Sequence, residues 1–302
     1  MAIQPNTGPS ASSSFIIPRP LGTGASAPDC RALAGPTQLE RPRPLGEAGA
    51  ERSTVSLVIP ARNEARNLAT VLGDIPSCVD EVILVDGRSS DVTPLMARSC
   101  RPDIRILTDA HPGKGNALRA GFEAATGDLI VAMDADGSML AREIPQFVHF
   151  LENGYDFVKG SRFVGGGGSL DITRLRRLGH RALVRVANVL YQAQLTDLCY
   201  GFFAFRRQYL AHLDLRSPGF EIETEITVRA LVSGLRIAEI PSLEMPRRSG
   251  RSNLRAFRDG QRVLHTLLQE RLGSERSTVD RPELRPVIEP APSRLSLPNG
   301  SS

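Results

Sequence analysis

The stretch VSLVIPARNEARNLATVLGDIPSCVDEVILVD, residues 55–86, decides the fold class of this chain. It opens with an apolar run at 55–60, continues through the leucine spacing of an amphipathic helix at 64–75, and closes with a second apolar run at 81–86. Apolar strands without polar alternation are typical of sheets buried on both faces, and a helix between two such strands joins a parallel pair. The stretch therefore predicts a parallel sheet covered by helices.

The same alternation continues along the next fifty residues or so of the chain. Further strands are predicted at 104–109 and 128–136, and further helices at 91–100 and 115–126. Strands and helices that alternate in this way place the helices on both faces of one sheet. The predicted fold class is α/β, with a mostly parallel central sheet flanked by helices.

The two ends of the chain differ in composition from its middle. Residues 1–52 are rich in Pro, Gly, Ser and Ala without apolar periodicity, and five prolines are spread over 272–302. Both ends are predicted to be disordered tails. The folded part is then 53–271, with a first half at 53–165 and a second half at 166–271.

The composition limits the cellular compartments and the classes of partner that the chain is expected to have. The hydrophobic content of 41% is ordinary for a globular protein, no apolar run is long enough to span a bilayer, and no secretory signal is recognisable, so a cytoplasmic location is expected. The four cysteines lack metal-ligand spacing and are expected to be free thiols. Aromatic residues do not interleave with the basic ones, which excludes nucleic acid as a partner.

Polar side chains follow the predicted strands at their carboxyl ends, where α/β sheets bind ligands. These residues are Arg62 and Glu64 after the first strand, Asp86 and Asp109 at the ends of the second and third, and Asp134 and Asp136 at the end of the fourth. Two acids one residue apart suit Mg²⁺ or Mn²⁺, whose coordination substrate phosphates complete. Alone the pair also fits a solvated turn; its place after a strand favours the metal.

Two basic segments point to phosphate groups. Lys114 lies between two glycines just before a predicted helix, where the helix N-terminus attracts anions. Residues 174–195 combine leucine and valine spacing with five arginines and predict a basic amphipathic helix. Such a helix lies either in a membrane interface, with its arginines toward lipid phosphates, or on the sheet with a solvated basic face. Both interpretations stay open at the level of sequence.

Eight short motifs follow one another along the folded part. They are VIPARNE (58–64), LVDGRSSD (84–91), HPGKGNAL (111–118), MDADGS (133–138), GSRF (160–163), TDLCYGFFAFRR (196–207), FEIETEI (220–226) and RRSGRSNL (247–254). Their order resembles the family 2 glycosyltransferases, and in particular the polyprenol-phosphate (dolichol-phosphate) mannosyl- and glucosyltransferase branch. The resemblance implies a GT-A fold, a GDP- or UDP-hexose donor and a divalent metal. It makes 53–165 the nucleotide-sugar-binding half and 166–271 the acceptor-binding half.

The resemblance also implies roles for single residues. The implied donor-binding residues are Pro60, Arg62, Glu64, Asp86, Lys114, Asp134, Arg247 and Ser252. Asp134 and Asp136 are the implied metal ligands, with Asp136 the more direct one. Glu223 matches a family carboxylate that acts either as a base or as an orienting group. The implied catalytic set is Asp136, Arg162 and Glu223, and the implied acceptor-phosphate set is Arg162, Arg174, Arg177 and Arg181.

The sequence therefore predicts a metal-dependent, inverting glycosyltransferase. It would move mannose or glucose from a nucleotide sugar to a polyprenyl phosphate, with a peripheral contact at the inner face of the cell membrane. Two alternatives stay open: a transferase with a soluble phosphorylated or natural-product acceptor, and a non-catalytic nucleotide-sugar-binding module. A nucleotidyltransferase would instead release pyrophosphate from a nucleoside triphosphate.

Overall fold

The computed structural model describes residues 52–109, 111–249, 256–276 and 288–290. The predicted tail at 1–52 lies outside these ranges apart from its last residue, and so does Ser252. Of the predicted tail at 272–302, residues up to 276 continue the last helix and 288–290 form a strand. The predicted end of the folded part at 271 is therefore too early. An edge strand offers free backbone groups for pairing, which composition does not reveal.

Ten strands form two sheets within the described ranges. In chain order they are β1 (Val55–Ala61), β2 (Glu81–Asp86), β3 (Arg105–Thr108), β4 (Leu129–Ala132), β5 (Phe157–Ser161), β6 (Gly168–Ser169), β7 (Phe203–Arg206), β8 (Ile237–Pro241), β9 (Leu243–Glu244) and β10 (Ile288–Pro290). The large sheet has the order β10-β8-β5-β7-β4-β1-β2-β3, and β6 pairs with β9. Strand β7 is antiparallel to both neighbours, and the other pairings are parallel. The mostly parallel sheet is confirmed.

Eight α-helices connect these strands in the described part of the chain. They are α1 (Ala65–Gly73), α2 (Thr93–Cys100), α3 (Lys114–Ala124), α4 (Ile144–Glu152), α5 (Arg174–Tyr191), α6 (Leu210–Leu213), α7 (Ile222–Val232) and α8 (Ala256–Arg276). The predicted helices of the first half are confirmed with small shifts at their ends. Helix α5 ends before the predicted residue 195, because Gln192 takes a left-handed conformation with φ 52°. Among the described helices, none combines the length and the apolar content that crossing a bilayer requires.

The core consists of two apolar layers, one on each face of the large sheet. Successive residues of a strand point to opposite faces: Leu57 and Ile59 of β1 pack into one layer and Val58 into the other. Helices α1, α2 and α4 cover the first layer, and α3, α5, α7 and α8 cover the second. The prediction of helices on both faces is therefore confirmed.

The sheet register brings three strand ends to one edge. Ala61 pairs with Asp86 at the end of β2, and Val58 pairs with Ala132 at the end of β4. Strand β4 stops at Ala132, so the prediction of a strand through residue 136 is wrong. The chain turns there instead: the Ser138 amide donates to Asp136 Oδ1 at 2.9 Å, and Gly137 has φ 76°. The two acids consequently lie in a turn beyond the strand end.

Candidate active site

Lys114 is a cation enclosed by two carboxylates at this edge of the sheet. Its Nζ lies 2.5 Å from Asp134 Oδ1 and 2.6 Å from Glu223 Oε1. The Lys114 side chain is 10% exposed and that of Glu223 is 7% exposed. Lys114 begins α3, Asp134 follows β4 and Glu223 lies in the first turn of α7. The structure thus joins three residues whose roles the sequence assigned separately.

The ionisation of this cluster is set by burial and by its neighbours. Burial raises the pKa of Asp134 to about 6, with repulsion from Asp136 and Glu223 adding to the rise and Lys114 opposing it. Burial alone would lower the pKa of Lys114, but the attraction of Asp134 and Glu223 outweighs it, so that pKa lies above its ordinary value. The lysine is therefore fully charged at neutral pH.

Arg247 is the second cation at this edge. Its Nη2 lies 2.8 Å from Asp136 Oδ2, and its Nη1 donates to Glu64 Oε1 at 3.2 Å. Asn67 Nδ2 donates to the other Glu64 oxygen at 2.5 Å, and burial raises the pKa of Glu64. The structure thus brings Arg247, Glu64 and Asp136 together, while Asn67 is a contact that sequence reasoning missed.

The acid pair suits a divalent cation by its chemistry. Carboxylate oxygens are the ligands that Mg²⁺ and Mn²⁺ prefer, and substrate phosphates commonly complete their coordination. Glu64, Asp134, Asp136 and Glu223 carry four formal negative charges against the two positive charges of Lys114 and Arg247, which leaves two uncompensated. Within the described ranges, no group of three or more His, Cys, Asp or Glu side chains could hold a metal. Asp134 and Asp136 are the candidate metal ligands of this edge, and each is ion-paired to a cation, Lys114 and Arg247 respectively.

The loops that follow β1 and β2 lie at the same edge of the sheet as Asp134 and Asp136. Asp86 is buried, and both its oxygens accept from the Ser89 amide, at 3.2 and 3.3 Å. Arg62 is exposed and Pro60 is half-buried. The two loops are locked together, since Asn63 Oδ1 accepts from the Ser90 amide at 2.7 Å. Asn63 and Arg88 each have φ 59°, a left-handed backbone that non-glycine residues rarely adopt.

Arg162 lies in a second buried cluster, centred on Asp197. Its Nε lies 2.7 Å from Asp197 Oδ2, its Nη2 3.0 Å from Asp197 Oδ1, and its Nη1 3.1 Å from Glu244 Oε1. The Cys199 carbonyl accepts from Nη2 at 3.3 Å, and the Tyr200 ring centroid lies 4.8 Å from the guanidinium carbon. A guanidinium has five N–H donors. Described acceptors engage four of them, and the fifth, on Nη1, has no described acceptor.

Asp197 and Glu244 were given no role from the sequence. His180 completes the cluster, with Nε2 2.8 Å from Asp197 Oδ1. The signal that could have found them is a general one: an arginine at the end of a buried strand needs a buried counter-charge. Asp197 could have been proposed as that counter-charge, because it lies within the motif at 196–207.

The segment Asp197–Gly201 connects the two clusters. Cys199 and Tyr200 contact Arg162, and Lys159, which is fully buried, donates to the Tyr200 carbonyl at 2.9 Å. A Cβ on Gly201 would lie 2.7 Å from both Glu223 Oε1 and Lys114 Nζ. The backbone at position 201 therefore lies so close to the Lys114 cluster that only glycine fits there without displacing the cluster. Gly201 is a further residue of the site that sequence reasoning missed.

The predicted acceptor-phosphate arginines lie on the outer side of α5. Arg174, Arg177 and Arg181 are exposed. The Arg177 guanidinium carbon lies 6.0 Å from the Phe163 ring centroid, and that of Arg162 lies 5.5 Å from the same centroid. A pocket of about 600 Å³ opens beside them and is lined by Phe163, Arg181, Val184, Arg185, Asn188, Val189 and Thr196. Arg177 thus contacts the same ring as Arg162, and Arg181 lines the pocket beside that ring.

Comparison with known proteins gives a consistent result. The model of glycosyl transferase family 2 matches residues 56–214. A protein named glycosyltransferase AglJ, from Haloferax volcanii, is 31% identical over 209 residues, which cover 68% of this chain and 68% of that protein. A dolichyl-phosphate hexose transferase from the same organism is 30% identical over 225 residues, covering 72% of this chain and 96% of the relative.

The fold is also similar to that of solved structures. Glucosyl-3-phosphoglycerate synthase from Mycobacterium tuberculosis, in complex with Mn²⁺, uridine diphosphate and glucosyl-3-phosphoglycerate, superimposes with a TM-score of 0.57. The two chains are 24% identical, and the match covers 72% of this chain and 80% of the synthase. The likeness supports the GT-A arrangement of sheet and helices that the motifs imply.

Proposed function

The chain belongs to glycosyl transferase family 2, and from that membership we propose that it is a metal-dependent, inverting hexosyltransferase acting on a polyprenyl phosphate. The donor would be a GDP- or UDP-linked mannose or glucose. The observation that carries the proposal is the pair of ion-paired cations, Lys114 and Arg247, beside Asp134 and Asp136 at the carboxyl edge of the sheet. The relative named as a dolichyl-phosphate hexose transferase supports the lipid phosphate as acceptor.

The donor side is built from charges held in fixed positions. Asp134 and Asp136 would bind Mg²⁺ or Mn²⁺. When bound, the metal neutralises negative charge on the departing diphosphate. Glu223 and Glu64 orient Lys114 and Arg247, whose N–H groups would donate to the diphosphate oxygens. Donors fixed in this way stabilise developing charge without reorganising.

Transfer requires one bond to form and one to break. An acceptor phosphate oxygen attacks the anomeric carbon from the side opposite the diphosphate, and the bond from that carbon to the diphosphate breaks. The electron pair leaves with the nucleoside diphosphate, and the configuration at the carbon inverts. A phosphate acceptor is already an anion, so no base is needed. The ion pair with Lys114 supports Glu223 as an orienting group rather than a base.

The acceptor phosphate would lie between Arg162 and helix α5. Arg162 offers its remaining N–H in a fixed direction, because Asp197 and Glu244 hold the rest of the guanidinium. Arg174, Arg177 and Arg181 would offer further positive charges from the exposed side of α5. Arginine suits this purpose because its planar fork matches phosphate oxygens.

A soluble phosphorylated acceptor is the second candidate. The pocket of about 600 Å³ at α5 carries Arg181 and Arg185 together with the polar Asn188 and Thr196. Its volume lies within the range of small-molecule sites. A compact phosphorylated molecule would therefore meet the same arginines without any lipid.

The decisive experiment measures nucleoside-diphosphate release from GDP- and UDP-linked mannose and glucose, with Mg²⁺ or Mn²⁺. Each donor is tested alone, with a polyprenyl phosphate, and with soluble sugar phosphates and phosphoglycerate. Release that the lipid stimulates supports the proposal, provided that Asp136→Asn abolishes it and the exposed control Asp74→Asn does not. Stimulation by a soluble phosphate alone supports the second candidate. Donor binding without release under every condition contradicts both and leaves a non-catalytic binding module.

A further inference from the structure

Helix α5 presents an apolar strip that no described element covers. Leu175, Leu178 and Val189 are 78%, 66% and 75% exposed, and Ala182 is exposed as well. Their spacing of three, four and seven residues places them on one side of the helix. Single exposed leucines are ordinary on protein surfaces. A strip of them along a helix about 27 Å long marks an interaction surface.

A second strip, of arginines, runs beside the first. It consists of Arg174, Arg177, Arg181 and Arg185, spaced by three, four and four residues and all exposed. With Arg176 the helix has five arginines and no acid. Among the residues that the structure describes, none of the five has an ion-pair partner. The opposite side of α5, with His180 and Ala187, is buried, so the helix has one inner side and two distinct outer strips.

We propose that the leucine strip and the arginine strip of α5 bind the surface of an anionic phospholipid bilayer. An interfacial helix buries its apolar residues at the acyl boundary while its arginines reach the lipid phosphates. Each arginine near an anionic surface strengthens binding by about fivefold. The docking surface extends the proposed transfer reaction but does not rest on it, because it requires neither donor nor acceptor.

A second copy of the chain is the rival occupant, and charge argues against it. Two α5 helices packed against each other about a two-fold axis would bring their arginine strips together. The helix has no acid that could pair with them. Like charges facing each other across an interface are unfavourable. An anionic bilayer, in contrast, complements both strips at once.

The first test is co-sedimentation of the full chain with vesicles, without donor. We expect binding to vesicles of phosphatidylcholine mixed with phosphatidylglycerol, weak binding to phosphatidylcholine alone, and loss of binding at high salt. Leu178→Ser with Val189→Ser should weaken binding, and Arg185→Gln should weaken it about fivefold. The matched controls are Leu95→Ser and Arg98→Gln, exposed positions on α2 at the other face of the sheet. Binding that ignores the α5 changes, or that the controls weaken equally, overturns the proposal.

The second test uses the absence of tryptophan from the chain. Leu178→Trp introduces a single tryptophan into the leucine strip, and Leu95→Trp introduces one on α2 as the control. With anionic vesicles, we expect a blue shift of the emission and quenching by brominated lipid for the first variant alone. Unshifted emission from the α5 variant in the presence of vesicles contradicts insertion.

The oligomeric state separates the bilayer from the rival occupant. Sedimentation equilibrium of the full chain should show no change between the parent and the Leu178→Ser, Val189→Ser variant. A dimer that this variant dissociates, without any change in vesicle binding, would assign the strip to a second copy and overturn the proposal. Donor cleavage that fails while vesicle binding persists would sink the proposed reaction and leave the docking surface intact. The reverse result would sink only the docking surface.

Discussion

Replacing Asp197 by asparagine should destabilise the fold strongly. The Asp197 side chain is fully buried, and its two oxygens lie 2.7 Å from Arg162 Nε, 3.0 Å from Arg162 Nη2 and 2.8 Å from His180 Nε2. The Arg162 amide donates to the same carboxylate at 3.2 Å. An asparagine would leave the buried guanidinium with Glu244 as its one described counter-charge, and its NH₂ group would face the N–H donors of Arg162 or His180. Removing one partner of a buried ion pair costs about 3–5 kcal/mol.

The same carboxylate predicts a dependence of stability on pH. Burial alone would raise the pKa of Asp197, but the attraction of Arg162 and the hydrogen bonds from His180 and Arg162 outweigh burial and hold it well below its usual value. A group whose folded pKa is lowered stabilises the fold above its unfolded pKa, and that contribution is lost as the pH falls below about 4. The free energy of unfolding of the parent should therefore fall as the pH falls below about 4. The Asp197→Asn variant has no carboxylate at this position, so its free energy of unfolding should fall less over the same pH range.

Urea unfolding of the parent and the variant measures both effects. The free energy of unfolding at neutral pH should fall by about 3–5 kcal/mol for Asp197→Asn, and by less than about 0.5 kcal/mol for the exposed control Asp74→Asn. Replacing both partners, as Arg162→Met with Asp197→Leu, should destabilise less than Asp197→Asn alone, since both members of the buried pair are then removed together. Glu244 loses its guanidinium partner in this double variant but keeps the hydrogen bond from Ser169 Oγ. A loss below about 1 kcal/mol for Asp197→Asn, the value of an exposed ion pair, would refute the reasoning.

Three further changes test particular contacts. Gly121→Ala would place a Cβ 2.3 Å from Val58 Cγ1. Thermal unfolding should therefore show that the free energy of unfolding falls by about 1–3 kcal/mol. The control Gly179→Ala has open space around its Cβ and should show no such fall. Gly201→Ala would place a Cβ 2.7 Å from Glu223 Oε1 and should lower kcat by about 100-fold through misplacement, with wild-type kcat as the contradicting result. Chelation of divalent ions should abolish nucleoside-diphosphate release and Mg²⁺ or Mn²⁺ should restore it; release that survives chelation excludes the proposed metal role of the acid pair.

The parallel part of the fold was accessible from the sequence because its signals are local. Strand β1, helix α1 and strand β2 each show their own periodicity, and right-handed crossovers leave little freedom in joining them. Strand β7 is different. Its apolar residues Phe203–Phe205 identify a strand, but its antiparallel position between β4 and β5 follows from pairing across long separations. Periodicity within a single segment contains no information on such pairing.

In the candidate site, too, local features could be predicted from the sequence and long-range contacts could not. The acids after β4 and the lysine before α3 could be predicted, because each stands where a parallel sheet presents ligands. The contact between Lys114 and Glu223 joins positions 109 residues apart and depends on how α7 packs. Glu221, two residues earlier, instead accepts from the Gly219 amide at 3.1 Å. The resemblance singled out Glu223 from its place in the motif, but its contact with Lys114 follows only from how the helix packs.

The charges of the two clusters favour the proposed role of α5 on the acceptor side. Around Arg162, the carboxylates of Asp197 and Glu244 more than cancel the guanidinium charge. The Lys114 and Arg247 clusters have their own excess of carboxylates. Neither buried cluster would therefore attract a second phosphate by net charge, and in the proposed reaction Arg162 would orient that phosphate through a single N–H. In the proposed reaction the attraction would come from the arginines of α5, which have no ion-pair partner among the described residues. The same arginines that would draw in an acceptor phosphate are thus available to a phosphate-bearing surface.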